Sequence, residues 1–244
     1  MSETSTLIGY SGRTIGREEL ALVPTPPATE THRPIPHREI VRALIETLGF
    51  RHIGVVHDEY AVSPDGMKMF GVLDLATEMQ GCRFSIGLRN SHDKSMRLAM
   101  TCGYRVFVCS NMAFSGDFTP VLAKHSKSFS LIDCISVGID RMQRNFDPMR
   151  KQVEAWQRSE LTDVTAKVVI YEAFVEGKLE APKHLARTVH DLYFEPKYEE
   201  FRSRTIWSLS NAFTSAFREL EPIPQFKATA KLGEFLEARF SQSF

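Results

Sequence analysis

A heptad stripe of apolar residues is the feature that most constrains the fold of this chain. Its members advance by alternating steps of three and four residues: Ile132, Ile135, Ile139, Met142, Phe146, Met149, Val153 and Trp156. Residues at this spacing lie along one side of an α-helix, so the stripe predicts a long helix with one apolar seam. Asp147-Pro148 falls inside it, where the helix either kinks or restarts with Asp147 as N-cap.

The residues before this helix have the pattern of an antiparallel meander. A short amphipathic helix is expected from His37 to Gly49, and the turn residues Ser63-Pro64-Asp65-Gly66 indicate a hairpin. Strand-like runs follow at residues 67–75, 83–89, 96–101 and 105–109, with a turn at Cys102-Gly103-Tyr104. Because strands precede helices, the predicted fold class is α+β.

Three regions are expected along the chain. Residues 1–36 are rich in Ser, Thr and Pro and are predicted to form a flexible arm. Residues 37–160 are predicted to form an α+β domain with the sheet and the long helix. Residues 161–244 are predicted to be a helical region packed on that domain, with helices near 163–176, 182–193, 199–220 and 226–241.

Composition excludes functions that need a global charge or a membrane. The 30 basic side chains balance 30 acidic ones, and no apolar run approaches the roughly 20 residues of a membrane helix. Without a signal-peptide pattern at the start, we expect a cytoplasmic protein. The cysteines Cys82, Cys102, Cys109 and Cys134 have no C-x-x-C spacing and are expected to be buried thiols.

Positive charge is nevertheless concentrated locally. Residues 82–158 hold 12 Lys or Arg against 6 Asp or Glu. Side chains alternate along a strand, so the face opposite the apolar residues of the meander is predicted to carry Arg83, Arg89, Arg97 and Arg105 with no carboxylate. Exposed arginines on a strand are also an ordinary solvated surface, and that interpretation stays open.

The functional hypothesis is that this basic face follows the phosphate backbone of single-stranded DNA. Arg83, Arg89, Arg97, Arg105 and Lys94 would contact phosphates, and Phe107 would stack on a base. Asn90, Ser91, His92 and Ser95 would shape the loop at the edge of the face. Five phosphate contacts predict a log-log salt slope of about −3.5 on single strands.

Enzymatic alternatives have weaker support. Three His-Asp dipeptides, at His57, His92 and His190, suggest a metal-dependent phosphohydrolase, but further ligands at suitable spacing are absent from the sequence. A Cys109–His92 nucleophile would need adjacent strands to bring the two together. No nucleotide-binding or hydrolase motif occurs, so we expect a non-enzymatic protein without cofactor or metal.

Five short strings of residues resemble a phage- and plasmid-associated protein family of unknown function. They are Pro36-His37-Arg38-Glu39, Ser63-x-Asp65-Gly66-x-x-Met69-Phe70, the loop Arg89–Ser95, Arg105-x-Phe107-Val108-Cys109-x-Asn111, and Ile206–Thr214. The resemblance implies a mobile-element protein that acts in replication, recombination or host defence.

A looser similarity is to the fold of Rad52-type single-strand annealing proteins, in which a β-meander precedes a long helix. It implies assembly into a homo-oligomer. The leading expectation is therefore a DNA-binding protein in replication or recombination. The runner-up is an interaction or inhibitor protein that blocks a host factor through its helical half.

Overall fold

The computed structural model describes residues 14–109, 111–119 and 130–240. Its helices and strands are, in chain order, α1 (Arg17–Ala21), α2 (His37–Phe50), β1 (Val55–Val62), β2 (Lys68–Met79), β3 (Cys82–Ser91), β4 (Ala99–Val106), β5 (Met112–Thr119), α3 (Leu131–Arg158), α4 (Asp163–Phe174), α5 (Leu185–Phe194), α6 (Ile206–Ala216) and α7 (Pro222–Phe240). Strands precede a helical half, so the predicted α+β class is confirmed.

Within the described residues, five strands form one antiparallel meander in the order β1-β2-β3-β4-β5. The predicted hairpin between β1 and β2 is present. Gly66 adopts a φ of +71°, and the Asp65 carboxylate accepts the Met67 backbone N–H at 3.0 Å. These two features make the tight turn that brings the strands into register.

The apolar seam of α3 packs on the first face of the sheet, which carries the side chains Phe84, Ile86 and Leu88. The Phe146 ring stacks on Phe84 with the ring centroids 4.3 Å apart. Most of the predicted stripe is buried, although Ile132 at its start is 63% exposed. Pro148 lies inside one continuous 28-residue helix, so the helix does not restart at Asp147.

The second face of the sheet is covered by α7. Phe226 of α7 contacts two rings of this face, Phe70 at 5.8 Å and Phe114 at 4.2 Å between ring centroids. Gly87 lies beneath Phe226, where a β-carbon would come within 2.5 Å of the Phe226 ring. Because α7 packs against β5, it also shields that edge strand.

The strand boundaries differ from the prediction at β4. A single strand, Ala99–Val106, joins the end of the predicted run 96–101 to the start of the run 105–109, and Gly103 lies inside it rather than in a turn. A β-carbon at Gly103 would stand 2.3 Å from the Ala113 carbonyl oxygen, so glycine is required by close approach of β5. The fifth strand is Met112–Thr119, which the sequence pattern did not predict.

Part of the predicted arm, within residues 14–36, contacts the sheet, while residues 1–13 lie outside the described part. Ile15 exchanges two backbone hydrogen bonds with Tyr60 of β1, and Arg17 forms an ion pair with Asp58 at 2.8 Å. Leu20 of α1 is 1% exposed and belongs to the main core. The physical cause is that the few apolar residues of this polar segment, Ile15, Leu20 and Val23, pack against the main core.

No helix in the described ranges is both long and apolar enough to cross a membrane.

Candidate functional site

Three of the four predicted arginines share the second face of the sheet. Arg83 and Arg89 lie on β3, and Arg105 lies on β4 directly opposite Arg83. Arg97 precedes β4, in the β3–β4 loop, which comprises residues 92–98. The alternation along β3 is therefore confirmed, whereas the assignment of Arg97 to a strand face is wrong.

Arg105 is neutralised in a buried ion cluster. Its guanidinium lies 2.8 Å from the Glu59 carboxylate and 2.8 Å from the Asp74 carboxylate, and all three side chains are at most 11% exposed. Asp74 also accepts the Ser85 hydroxyl at 2.6 Å. A charge buried with two opposite charges is not available to a phosphate.

Arg83 is also paired. It donates to Glu78 at 2.8 Å, and its guanidinium carbon stands 5.1 Å from the centre of the Phe107 ring. Phe107 is 46% exposed, but the arginine covers one of its faces. The pair forms a cation–π contact at one end of the sheet, about 20 Å along β3 from Arg89.

The second face of the sheet is therefore not the carboxylate-free basic surface that the sequence predicted. Arg89 is half-buried, and desolvation lowers the pKa of its guanidinium. Between Arg83 and Arg89 the face is occupied by Phe226 of α7 above Gly87. The prediction failed because carboxylates from β1 and β2, and a helix from the end of the chain, meet on this face.

The β3–β4 loop is held rigidly by its own polar groups. The Ser91 hydroxyl accepts the Met96 N–H and donates to the Met96 carbonyl, both at 2.9 Å. The Asp93 carboxylate accepts the Ser95 N–H at 2.9 Å. His92 donates its backbone N–H to Met67 O at 2.8 Å, which ties the loop to the β1–β2 turn. These bonds are the loop-shaping roles predicted for Ser91, His92 and Ser95.

The exposed charged side chains of the same loop are the cations Lys94 and Arg97 and the carboxylate of Asp93, which is engaged by Ser95. Lys94 and Arg97 are exposed, and no ion pair joins either of them to a carboxylate among the described residues. Lys94 has a φ of +64°, in the left-handed region that favours glycine. The loop thus combines a fixed backbone with two solvated positive charges.

Beneath the loop lies a buried cluster of His37, Asn90 and His92, with exposed fractions of 3% or less. The two imidazole rings stack with centroids 3.9 Å apart. The Asn90 amide donates to His37 Nδ1 at 2.9 Å, so the His37 Nε2–H donates to the Gly66 carbonyl at 3.1 Å. Desolvation, with the nearby His92, lowers the pKa of His37 to about 3.

Three of the strings that carry the family resemblance meet in this cluster. His37 comes from the first string, Gly66 from the second, and Asn90 and His92 from the third. The cluster connects α2, the β1–β2 turn and the end of β3. Its residues support the β3–β4 loop from inside, which places these three strings and the two exposed cations at one end of the sheet.

The remaining two strings meet at the opposite end, on α6. Asn111 donates its amide to the Asn211 carbonyl at 3.0 Å, across 100 residues of sequence. Asn211 in turn donates to Trp207 O at 3.0 Å. A small cleft of about 30 Å³ beside them is lined also by Cys109 and Ser208. This volume admits one or two water molecules and no substrate.

The structure does not assemble the enzymatic alternatives. Cys109 follows β4 beside the start of β3, whereas His92 follows the end of β3, so the two lie at opposite ends of the sheet. Burial raises the pKa of the Cys109 thiol to about 11. Cys82 and Cys102 are also buried, as predicted, whereas Cys134 on α3 is only partly buried.

The three His-Asp dipeptides lie apart, on β1, in the β3–β4 loop and on α5. In the part of the chain that the structure describes, no three His, Cys, Asp or Glu side chains are arranged to hold a metal ion.

Two groups in this region were missed by sequence reasoning. Glu59 and Asp74 neutralise Arg105, and a signal for Asp74 exists, because it is the one charged residue in the otherwise apolar stretch of residues 69–75. The buried polar side of α6 had a weaker signal. Ser208, Ser210, Asn211 and Thr214 lie on one side of α6 at helical spacing, a pattern that a solvent-exposed polar side would share, yet all four are buried.

Comparison with known proteins gives a family and no function. No significant match to this chain was found among the curated proteins or among the solved structures. A family model described as a domain of unknown function (DUF932) matches residues 29–232, which include all of the sheet, α2 to α6 and the first half of α7. The chain therefore belongs to the DUF932 family, the domain of unknown function whose model it matches over most of its length.

Proposed function

We propose that this protein is a non-enzymatic DNA-binding protein of a phage or plasmid, and that its β3–β4 loop contacts the phosphate backbone. The observation that carries the proposal is that some side chains of that loop fix its backbone while two cationic side chains remain exposed to solvent. Ser91, Asp93 and Ser95 are used to fix the backbone, whereas Lys94 and Arg97 are exposed and no ion pair joins either of them to a carboxylate among the described residues. A rigid loop with free cations binds phosphate at a small entropic cost.

The conformation of Lys94 supports the same proposal. A non-glycine residue at φ +64° costs on the order of 1 kcal/mol, and such strain is concentrated at functional sites. Glycine or asparagine would adopt this backbone conformation with less strain. A lysine here directs a charge outward at the expense of stability.

Single-stranded DNA is the favoured ligand. A meander followed by a long helix is similar in order to the core of Rad52-type single-strand annealing proteins, and the resemblance to phage and plasmid proteins suggests work on DNA in replication or recombination. The number of contacts is smaller than the sequence suggested. Two free cations per protomer correspond to a salt slope of about −1.4 rather than −3.5 on single strands.

The test is fluorescence anisotropy of a labelled single strand over a range of salt concentrations. Wild type is expected to bind with a slope near −1.4 per protomer, and Lys94→Gln/Arg97→Gln is expected to bring the slope close to zero. Lys183→Gln/Lys197→Gln, which removes two charges from the helical half, is the matched control. Binding that survives the loop substitutions with an unchanged slope would exclude the loop as the DNA contact.

A second candidate function, assembly with another protein, is favoured by one observation on α4. Val164, Val168, Tyr171 and Val175 follow at steps of four, three and four residues, and they are 71%, 40%, 54% and 52% exposed. The other side of α4 is buried in the core, so this helix is apolar on both sides. A continuous exposed apolar stripe of this kind marks an interaction surface.

We propose that a second copy of this chain covers the α4 stripe. The spacing of four, three and four residues is that of a coiled-coil seam, which packs against a helix of the same spacing, and a second copy of α4 supplies such a helix. Sedimentation velocity tests this proposal. Val168→Glu/Tyr171→Glu is expected to dissociate the oligomer, while Val137→Glu, at a 50% exposed valine of α3, is not. A wild-type monomer at high concentration would contradict self-assembly and favour the host-factor alternative.

A further inference from the structure

A row of exposed side chains runs along the outer side of α3, away from the seam that packs on the sheet. Its members advance by alternating steps of four and three residues: Val137, Arg141, Arg144, Pro148, Lys151, Ala155 and Arg158. All seven are exposed, and we call them the outer row. An α-helix rises 1.5 Å per residue, so the row is about 32 Å long. Neither the β3–β4 loop nor the α4 stripe contains any of these residues.

The outer row is cationic. Four of its seven members are Arg or Lys, and none is Asp or Glu. No ion pair joins Arg141, Arg144 or Lys151 to a carboxylate among the described residues. Arg158 lies 3.7 Å from Glu154, and its side chain is still 78% exposed. These guanidinium and ammonium groups are therefore accessible to a partner from solvent.

The carboxylates of α3 lie beside the outer row and are engaged by other cations. Asp140 pairs at 2.9 Å with Arg51, which follows α2, and Asp147 pairs at 3.3 Å with Arg150. Each of these carboxylates compensates a positive charge that does not belong to the row. The row thus keeps an excess of positive charge on the side of α3 that faces solvent.

The cations of the outer row repeat with the period of a helix pair. Arg144, Lys151 and Arg158 are seven residues apart, which corresponds to about 10.5 Å along α3. A second helix that lies alongside α3 presents its own side chains with the same repeat, so one carboxylate in every seven residues can meet each cation. A strand of duplex DNA carries a phosphate about every 3.4 Å, so cations this far apart leave most phosphates without a partner. The spacing favours a helix over a phosphate backbone.

Short side chains separate the cations. Pro148 and Ala155 lie between them in the outer row, where they leave room for the side chains of a neighbouring helix. Val137, 50% exposed, gives the row an apolar end. A second copy of this chain is a poor occupant, because two outer rows would place like charges opposite each other. The row therefore suits a helix of opposite charge.

We propose that the outer row of α3 binds an acidic α-helix of another protein, whose carboxylates recur every seven residues along one side. Arg144, Lys151 and Arg158 would each pair with one carboxylate, and small apolar residues of the partner would lie over Pro148 and Ala155. Such charge complementarity specifies the partner and accelerates its association. This interaction goes beyond the proposed DNA contact and does not depend on it, because the outer row and the β3–β4 loop share no residue.

The experiment uses two labelled alanine-rich peptides of about 28 residues and measures their binding to the full chain by fluorescence anisotropy. One peptide carries glutamates at seven-residue spacing along one side. The other has the same composition, with the glutamates spread around the helix. The first is expected to bind at least about tenfold more tightly, because only it can form several ion pairs at once.

Substitutions locate the binding surface. Arg144→Gln/Lys151→Gln is expected to weaken the seven-residue-spaced peptide by about fivefold or more. Lys183→Gln/Lys197→Gln, which removes two exposed charges from the helical half, is the matched control and is expected to preserve binding. Lys94→Gln/Arg97→Gln is also expected to preserve it, so failure of the proposed DNA contact would leave this measurement unchanged.

Four results would overturn the proposal. Equal affinity for the two peptides would mean that the chain recognises net charge and not a helix of matching period. Equal losses in Arg144→Gln/Lys151→Gln and in the matched control would place the contact elsewhere. Displacement of the peptide by single-stranded DNA at a lower concentration than by unlabelled peptide would identify the outer row as a nucleic-acid surface. Absence of binding up to about 1 mM peptide, with the chain folded by circular dichroism, would leave no site of useful affinity.

Discussion

The imidazole rings of His37 and His92 stack face to face beneath the β3–β4 loop, with centroids 3.9 Å apart and an angle of 11° between their planes. One ring comes from the start of α2 and the other from the residue that follows β3. Both are buried, so two positive charges at this separation would repel each other in a poorly solvated place. Burial beside His92 therefore favours the neutral form of His37.

Acid should therefore destabilise the fold through His37. Its pKa is lowered from 6.5 to about 3 in the folded protein, so between these values the unfolded chain binds the proton and the folded chain does not. The stabilisation from neutral His37 is complete above pH 6.5 and is lost as the pH falls toward 3. Urea unfolding should give a free energy about 2 kcal/mol lower at pH 5 than at pH 8 from this residue.

His37→Gln isolates that contribution. The variant is expected to be less stable at pH 8 but to lose less stability on going to pH 5 than wild type. His184→Gln, at an exposed position, controls for the loss of any histidine. The assignment fails if the two variants have parallel stability profiles across this range.

Arg105 should be among the most sensitive residues of the sheet. Arg105→Met leaves Glu59 and Asp74 buried without their counter-charge, and breaking a buried pair in this way costs about 3–5 kcal/mol. Arg97→Met, at an exposed loop position, should change the free energy of unfolding by less than about 0.5 kcal/mol. Urea denaturation of both variants measures the difference. Similar losses would mean that the carboxylate cluster is solvated in the molecule.

Gly87→Ala should reveal how tightly α7 closes the second face. The added methyl group would stand 2.5 Å from the Phe226 ring and 2.7 Å from the Phe114 ring, and we expect a loss of about 1–3 kcal/mol. Phe226→Leu should reduce that loss, so the coupling energy in a double-mutant cycle measures the contact. If the two substitutions are additive, Phe226 does not press on Gly87.

Lys94→Gly should stabilise the protein while it weakens DNA binding. Glycine removes the strain of a φ of +64°, and after its own entropic cost a net gain of up to about 1 kcal/mol is expected. Ser95→Gly, next to it, removes the hydroxyl that donates a hydrogen bond to the Asp93 carboxylate and should lower stability instead. Thermal unfolding and anisotropy on the same samples would separate the two effects.

Periodicity alone was sufficient for the elements whose residues interact with near neighbours in sequence. The three-four spacing from Ile135 to Trp156 predicted α3, and the alternation from Arg83 to Arg89 assigned the two faces of β3 correctly. Both patterns express the geometry of one element. They carry no information about what covers that element in the folded chain.

The solvation of the second face depended on residues far away in sequence. Glu59 meets Arg105 across 46 residues, and Phe226 reaches Gly87 from the last helix. Gly103 was assigned to a turn because glycine serves turns and crowded strands alike, and only the position of the Ala113 carbonyl distinguishes the two uses. The pattern thus placed Arg83, Arg89 and Arg105 correctly on one face of the sheet, but it did not show the carboxylates and the helix that share this face.

The contact between Phe226 and the sheet also has a consequence for biosynthesis. The five strands are synthesised about a hundred residues before α7. Phe70 and Phe114 therefore stay exposed to solvent until α7 has been made, a delay of several seconds or more at ordinary rates of translation. During that interval the sheet offers an open hydrophobic face and an unprotected edge. A chain truncated before residue 222 would keep this hydrophobic face and sheet edge exposed and would be prone to aggregate. A chaperone that binds exposed hydrophobic surfaces would be needed most at this stage of translation.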